Sequence, residues 1–172
     1  GSNNTASGFN ALLSNTNGSN NTASGSGALQ VNTTGQTNTA SGVAALGHNT
    51  TGGSNTASGF NALFNNTGGL NNTASGVNAL QNNTTGNSNT AVGFQAGFNA
   101  TGSNNIAISN VGVAAESNTI RIGTQGTQTT AFLAGVSGND LSASGVVVVV
   151  TASGHLGTGA AIVGPTGPAG PI

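Results

Sequence analysis

A fixed period of 17 residues constrains this chain more than any other feature. The triplet Asn-Thr-Ala begins at Asn4 and again at Asn21, Asn38, Asn55, Asn72 and Asn89. Ser-Gly follows it in five copies and Val92-Gly93 in the sixth; an Ala-Leu pair then recurs from Ala11-Leu12 to Ala79-Leu80. Each unit closes on a polar turn such as Asn32-Thr33-Thr34-Gly35 or Asn83-Thr84-Thr85-Gly86. A unit of this size holds about three apolar anchors, too few to bury a face alone. Stacking the units builds one continuous core, so the period predicts a solenoid rather than a globule.

Helix is a poor reading of the repeats. No apolar stripe recurs at three and four residues, and Gly, Asn, Thr and Ser are weak helix formers. Strand alternation fits better. Each coil is expected to carry two short strands and two turns, and seven or eight coils at the usual strand spacing give a rod roughly 35–40 Å long. The positions of Thr5 and Ser7 become Thr90 and Val92, then Ile106 and Ile108, which predicts that this face turns toward a core. Ala6 and Gly8 are then expected on the opposite face. The position of Phe9 reads Ser26, Val43, Phe60, Val77 and Phe94 in later copies and, with the Leu12 column, supplies the expected apolar anchors. The Asn-Thr-Thr-Gly segments carry turn chemistry and should form ladders along the rod. Formal sequons such as Asn3-Asn4-Thr5 and Asn32-Thr33-Thr34 read as the same turn chemistry.

Composition excludes several functions. Charged residues make up 2% of the 172 residues and the net charge is −1, against roughly 25% charged in average proteins. Nucleic acid is gripped by clustered Lys and Arg, which are missing here. There is no Cys, hence no disulfide framework. No run of about 20 apolar residues exists to insert in a membrane. The low charge alone would fit disorder, but disordered segments do not hold phase over six copies. The chain begins in mid-pattern and reads as a piece of something longer.

Chemistry-bearing residues are few. Glu116 and Asp140 lie far apart in sequence without a third partner, so no acid–base pair is legible. His48 occupies a variable position held elsewhere by Ser14, Val31, Asn65 and Asn82, and His155 sits in a Gly-flanked turn; both read as surface residues rather than ligands. Arg121 is isolated, no phosphate loop is present, and the turns lack the Asp of calcium-binding rolls. Threonine pairs such as Thr33-Thr34 and Thr50-Thr51 raise ice binding, but other copies break that array. No catalytic, cofactor or metal residue is nominated, the ligand-binding residues are unknown, and the chain is expected not to be an enzyme.

After the sixth unit the pattern decays through Asn105-Ile106-Ala107-Ile108-Ser109 and Asn118-Thr119-Ile120-Arg121-Ile122-Gly123. Three regions are therefore expected: a repetitive head over 1–123, a short β-rich module over 124–163 with apolar patches such as Val146 to Val150, and a collagen-like stretch over 164–172. The last holds three Gly-Pro-x triplets, and a collagen helix needs three chains. A homotrimer sharing one axis follows as the expected assembly.

Asn105-Ile106-Ala107-Ile108-Ser109, with the Asn-Thr-Ala-Ser-Gly units before it, resembles the head repeats of trimeric autotransporter adhesins, the YadA-like family of bacterial surface proteins. The resemblance covers about 3–123. It implies an all-β fold, a left-handed parallel β-roll assembled as a tight homotrimer, whose coils in this sequence would be about 17 residues long. It also implies a place at the bacterial cell surface, with an outer-membrane anchor outside this segment, and partners among host cell-surface or extracellular-matrix molecules. Two departures stand out. The family repeat is shorter, which implies coils widened at one turn, and Ser stands where Ile is usual, which implies a less apolar core. The segment from Asn118 through Gly138 also resembles regions found before the chaperone domains of phage tail fibres. A receptor-binding fibre segment is thus a second expectation, and a structural spacer that holds a binding tip away from the surface a third.

Overall fold

The computed structural model describes residues 1–128, 130, 147–150 and 156–159. It divides into two units, Gly1–Thr124 and Gln125–Ile172. The first is an all-β parallel solenoid, with no helix among the described residues. Its strands are β1 (Thr5–Ser7), β2 (Thr22–Ser24), β3 (Thr39–Ser41), β4 (Thr56–Ser58), β5 (Thr73–Ser75), β6 (Thr90–Val92), β7 (Ile106–Ile108) and β8 (Ile120–Ile122). They form one parallel sheet in sequence order. Register is kept throughout: Thr5 faces Thr22, Ala40 faces Ala57, and Thr90 faces Ile106 although that coil is one residue shorter. In the second unit β9 (Val147–Val150) pairs antiparallel with β10 (Leu156–Gly159). The Gly-Pro-x triplets lie outside the described residues.

The facing of the strands is the reverse of the sequence expectation. Ala23, Ala40, Ala57, Ala74 and Ala91 point inward and are fully buried, while the Thr and Ser on either side point out. The solenoid is too slender for a branched side chain at this inward position; methyl groups fill it. Ser in place of Ile therefore says nothing about the core, because that column is outside. The column of Phe9 is also outside: Phe9 is 77% exposed and Phe94 70%. The apolar core consists of the inward alanines, the single alanine column of Ala28, Ala45, Ala62, Ala79 and Ala96, and Leu29, Leu46, Leu63 and Leu80.

Only one strand forms per coil, not two. The second segment does bond from coil to coil, with Leu29 N–H donating to Ala45 C=O at 3.0 Å and Leu46 N–H to Ala62 C=O at 2.9 Å. Its backbone is not extended, however. Leu12, Leu29, Leu46, Leu63 and Leu80 all have φ between 50° and 53°, and Asn10, Ala44, Asn61 and Asn78 two residues earlier are also positive. A left-handed Leu costs about 1–2 kcal/mol. Burying its side chain returns about 1.5–3 kcal/mol, so burial wins and the turn points each Leu into the core.

Two columns of buried Asn complete the interior. Asn21, Asn38, Asn55, Asn72 and Asn89 form one; Asn32, Asn49, Asn66 and Asn83 form the other. Within each of the first five coils both side chains donate to one glycine carbonyl: Gly52 C=O accepts from Asn38 Nδ2 at 2.9 Å and from Asn49 Nδ2 at 3.0 Å. Between coils each Asn Oδ1 accepts from the next rung, as Asn55 N–H and Nδ2 do onto Asn38 Oδ1 at 3.0 and 3.1 Å. These clamps close each coil into a ring and tie it to its neighbour. The turn ladders anticipated from Asn-Thr-Thr-Gly are thus present, but the Asn side chains run inside the rod. The glycine in each clamp is required for space: a Cβ on Gly52 would lie 2.3 Å from Asn49 Oδ1 and 2.6 Å from Gly69 O.

Candidate functional site

With the core closed by Ala, Leu and Asn, what the solenoid offers to other molecules is its outer surface. Three lines run along it. The first is the outward strand face. Thr5, Thr22, Thr39, Thr56 and Thr73 make one rank, and Ser7, Ser24, Ser41, Ser58 and Ser75 a second. Successive rungs are about 4.8 Å apart. None of these hydroxyls bonds to another group of the chain. Toward β8 the same face becomes apolar: Val92, Ile106, Ile108, Ile120 and Ile122 are all exposed, Ile122 at 70%.

The second line is the ridge of Phe9, Val43, Phe60, Val77 and Phe94, which follows the strand after its glycine corner. Exposed apolar side chains repeated in register differ from the scattered single ones of an ordinary surface, and contiguous patches of this kind mark contact sites.

The third is the turn that precedes each strand. Its outward residues change from coil to coil: Ser19, Gln36, Gly53, Leu70, Asn87 and Ser103 occupy one column. Where Gly53 removes a side chain, a groove of about 400 Å³ opens between Gln36 and Leu70, lined also by Thr34, Thr51 and Asn71.

The residues considered for chemistry are not gathered in a site. Glu116 is held by Arg121, whose Nε lies 3.0 and 2.8 Å from its two carboxylate oxygens. Glu116 Oε1 also accepts from Val113 N–H at 2.9 Å. This cluster sits at the last coil of the solenoid. His48 is exposed, its ring 4.1 Å from that of Phe64 and its Nδ1 3.2 Å from Asn65 Oδ1. Asp140 and His155 lie outside the described residues. Among the described residues no three His, Cys, Asp or Glu come together as a metal site would require, and no helix is long and apolar enough to cross a membrane.

No family profile, curated protein or solved structure matches this chain. Its surfaces must therefore be read on their own chemistry. Sequence reasoning missed the groove, because nothing marks Gly53 until the turn column is aligned along the rod. It also misread the apolar ridge as core, since a column of Phe and Val carries no sign of which way it points.

Proposed function

We propose that this chain is a non-enzymatic adhesive head segment that works as a homotrimer at a bacterial cell surface and binds host cell-surface or matrix molecules. The observation that carries the reading is the outward strand face. It is an uncharged, in-register surface of eight strands whose last three expose five Val and Ile side chains. A chain with 2% charged residues has little to keep such a face in water. Packing three copies about a common axis, each presenting this face or the adjoining Phe9 ridge, covers the apolar end and leaves the Asn, Thr and Gln turns outermost. The Gly-Pro-x triplets after the head support the same copy number. The left-handed roll implied by the family resemblance is part of this proposal.

In this reading a rigid rod displays repeated uncharged turns, so weak contacts add along the rod and across the copies. The test is attachment of the purified trimer to host cells and to immobilised matrix proteins. Saturable attachment supports the reading. A trimer that attaches to neither, while a longer piece of the protein does, makes the rod a spacer.

A further inference from the structure

We infer that the groove at Gly53 is a binding site for a neutral oligosaccharide; this rests on the adhesive reading for its biological use and on the groove's own chemistry for its ligand class. Gly53 is the one glycine in a turn column otherwise filled by Ser19, Gln36, Leu70, Asn87 and Ser103, so the notch interrupts the repeat at a single rung. Gly53 has no positive φ, so its conformation does not demand glycine; a Cβ would meet Gln36 O at 3.1 Å, Leu70 Cδ2 at 3.7 Å and Gln36 N at 3.8 Å, and needs the Gln36 carbonyl to give by a few tenths of an ångström. The missing side chain exposes one wall of Leu70, itself 44% exposed.

Around the notch the Thr34 and Thr51 hydroxyls and the side-chain amides of Gln36 and Asn71 make no hydrogen bond within the chain. On the floor, the Thr37 and Ser54 hydroxyls lie 3.1 Å apart and share one hydrogen bond. The groove thus combines amides that donate and accept, hydroxyls that do both, and one aliphatic wall. Glu116 and Arg121 are coils away, and no formal charge lines the groove. A phosphate, carboxylate or ammonium ligand would find no counter-charge here. A sugar needs none: its hydroxyls match the amides and hydroxyls, and its C–H face packs on Leu70. Because the groove is open rather than a closed pocket, it suits an internal stretch of glycan chain.

The probes are chitotetraose, maltotetraose and lacto-N-tetraose, titrated to tens of millimolar into the labelled protein and followed by amide NMR. At least one is expected to shift the Gln36, Thr37, Gly53, Ser54 and Leu70 amides in a saturable way. Gly53→Gln, which restores the residue of the preceding coil, is expected to weaken that binding tenfold or more. Gln36→Ala with Thr51→Ala, which changes only side chains at the groove, is expected to do the same; both variants should keep the parent circular dichroism. No shift at these amides with any of the three sugars overturns the proposal, as does unchanged binding in the double variant. The two readings fail separately. A trimer that attaches to cells equally well with Gly53→Gln keeps the adhesive reading and loses this site, whereas sugar binding without attachment does the opposite.

Discussion

Arg121 stands in register with Ala107, so a guanidinium occupies the inward column that alanine fills in β2 through β7. It is accepted there because β8 has no coil beyond it within the solenoid unit to demand a methyl group, and because Glu116 meets it at 2.8 Å. Glu116 also continues the clamp: its carbonyl accepts Asn105 Nδ2 at 2.9 Å, as Gly102 does Asn89 Nδ2 in the coil before. Repeat proteins need terminal units unlike the interior ones, and this pair is such a cap.

Arg121→Ala should therefore loosen the last coil rather than unfold the rod. The pair is partly exposed, with Arg121 at 33% and Glu116 at 12%, and its global contribution is about 1 kcal/mol or less. Hydrogen exchange is the measurement: the Ile106 and Gly123 amides, which bond across the last coils, should exchange faster, and those of Thr39 and Thr56 should not change.

The facing of the strands is tested by a pair of substitutions one residue apart. Ala57 is fully buried and Ser58 is exposed. Ala57→Val should cost about 1–3 kcal/mol through overpacking. Ser58→Val should alter the stability of the chain by about 0.5 kcal/mol or less. Urea midpoints of the two variants decide; the reverse order would put the core on the wrong face.

How far the fold was legible follows from what periodicity contains. The 17-residue repeat carries the solenoid, the parallel stacking and the column of Leu29, Leu46, Leu63 and Leu80, because an equal spacing places equivalent residues on one line. It does not carry inside against outside. Thr-Ala-Ser has no hydrophobic contrast strong enough to choose, and the later Ile106 and Ile108 point the choice the wrong way because their face is exposed on the chain. The buried Asn columns had a usable signal: the Asn21 column recurs without change and the Asn32 column in five units, giving way only at Ala100, where neighbouring turn residues vary. Turn propensity masked it, since Asn is also what an exposed turn would choose.

Asn55 tests the interior ladder. Its Nδ2 donates to Gly69 C=O at 2.8 Å and to Asn38 Oδ1 at 3.1 Å, and its Oδ1 accepts from Asn72. Asn55→Asp replaces the donors with a buried carboxylate facing two acceptors. Burial raises the pKa of such a group above the ordinary value of about 3.9. The folded state then holds a proton that the unfolded state has released, so the variant's stability falls as pH rises above about 4. Thermal midpoints across this range should show that loss in Asn55→Asp and not in Asn55→Ala, which should instead be lower by a nearly constant amount.

Two glycines separate space from backbone. Gly52→Ala forces a methyl group against Asn49 Oδ1 and the Gly69 carbonyl oxygen and should cost several kcal/mol or prevent folding of that coil. Gly27 has φ +70°, but a Cβ would make only ordinary contacts, with Gln30 Oε1 at 3.5 Å and Ala44 Cα at 3.9 Å, and Asn10, Ala44 and Asn61 stand in its column. Gly27→Asn should be within about 0.5 kcal/mol of the parent, as read from chemical denaturation.

Whether three chains share the uncharged strand face is decided by the mass in solution from light scattering after size exclusion. A shared face predicts three times the chain mass of 16.2 kDa. It also predicts that Ile106→Glu with Ile120→Glu, both outward in the chain, lowers that mass to one chain without loss of circular dichroism. A folded parent that runs as a 16.2 kDa monomer would contradict the claim.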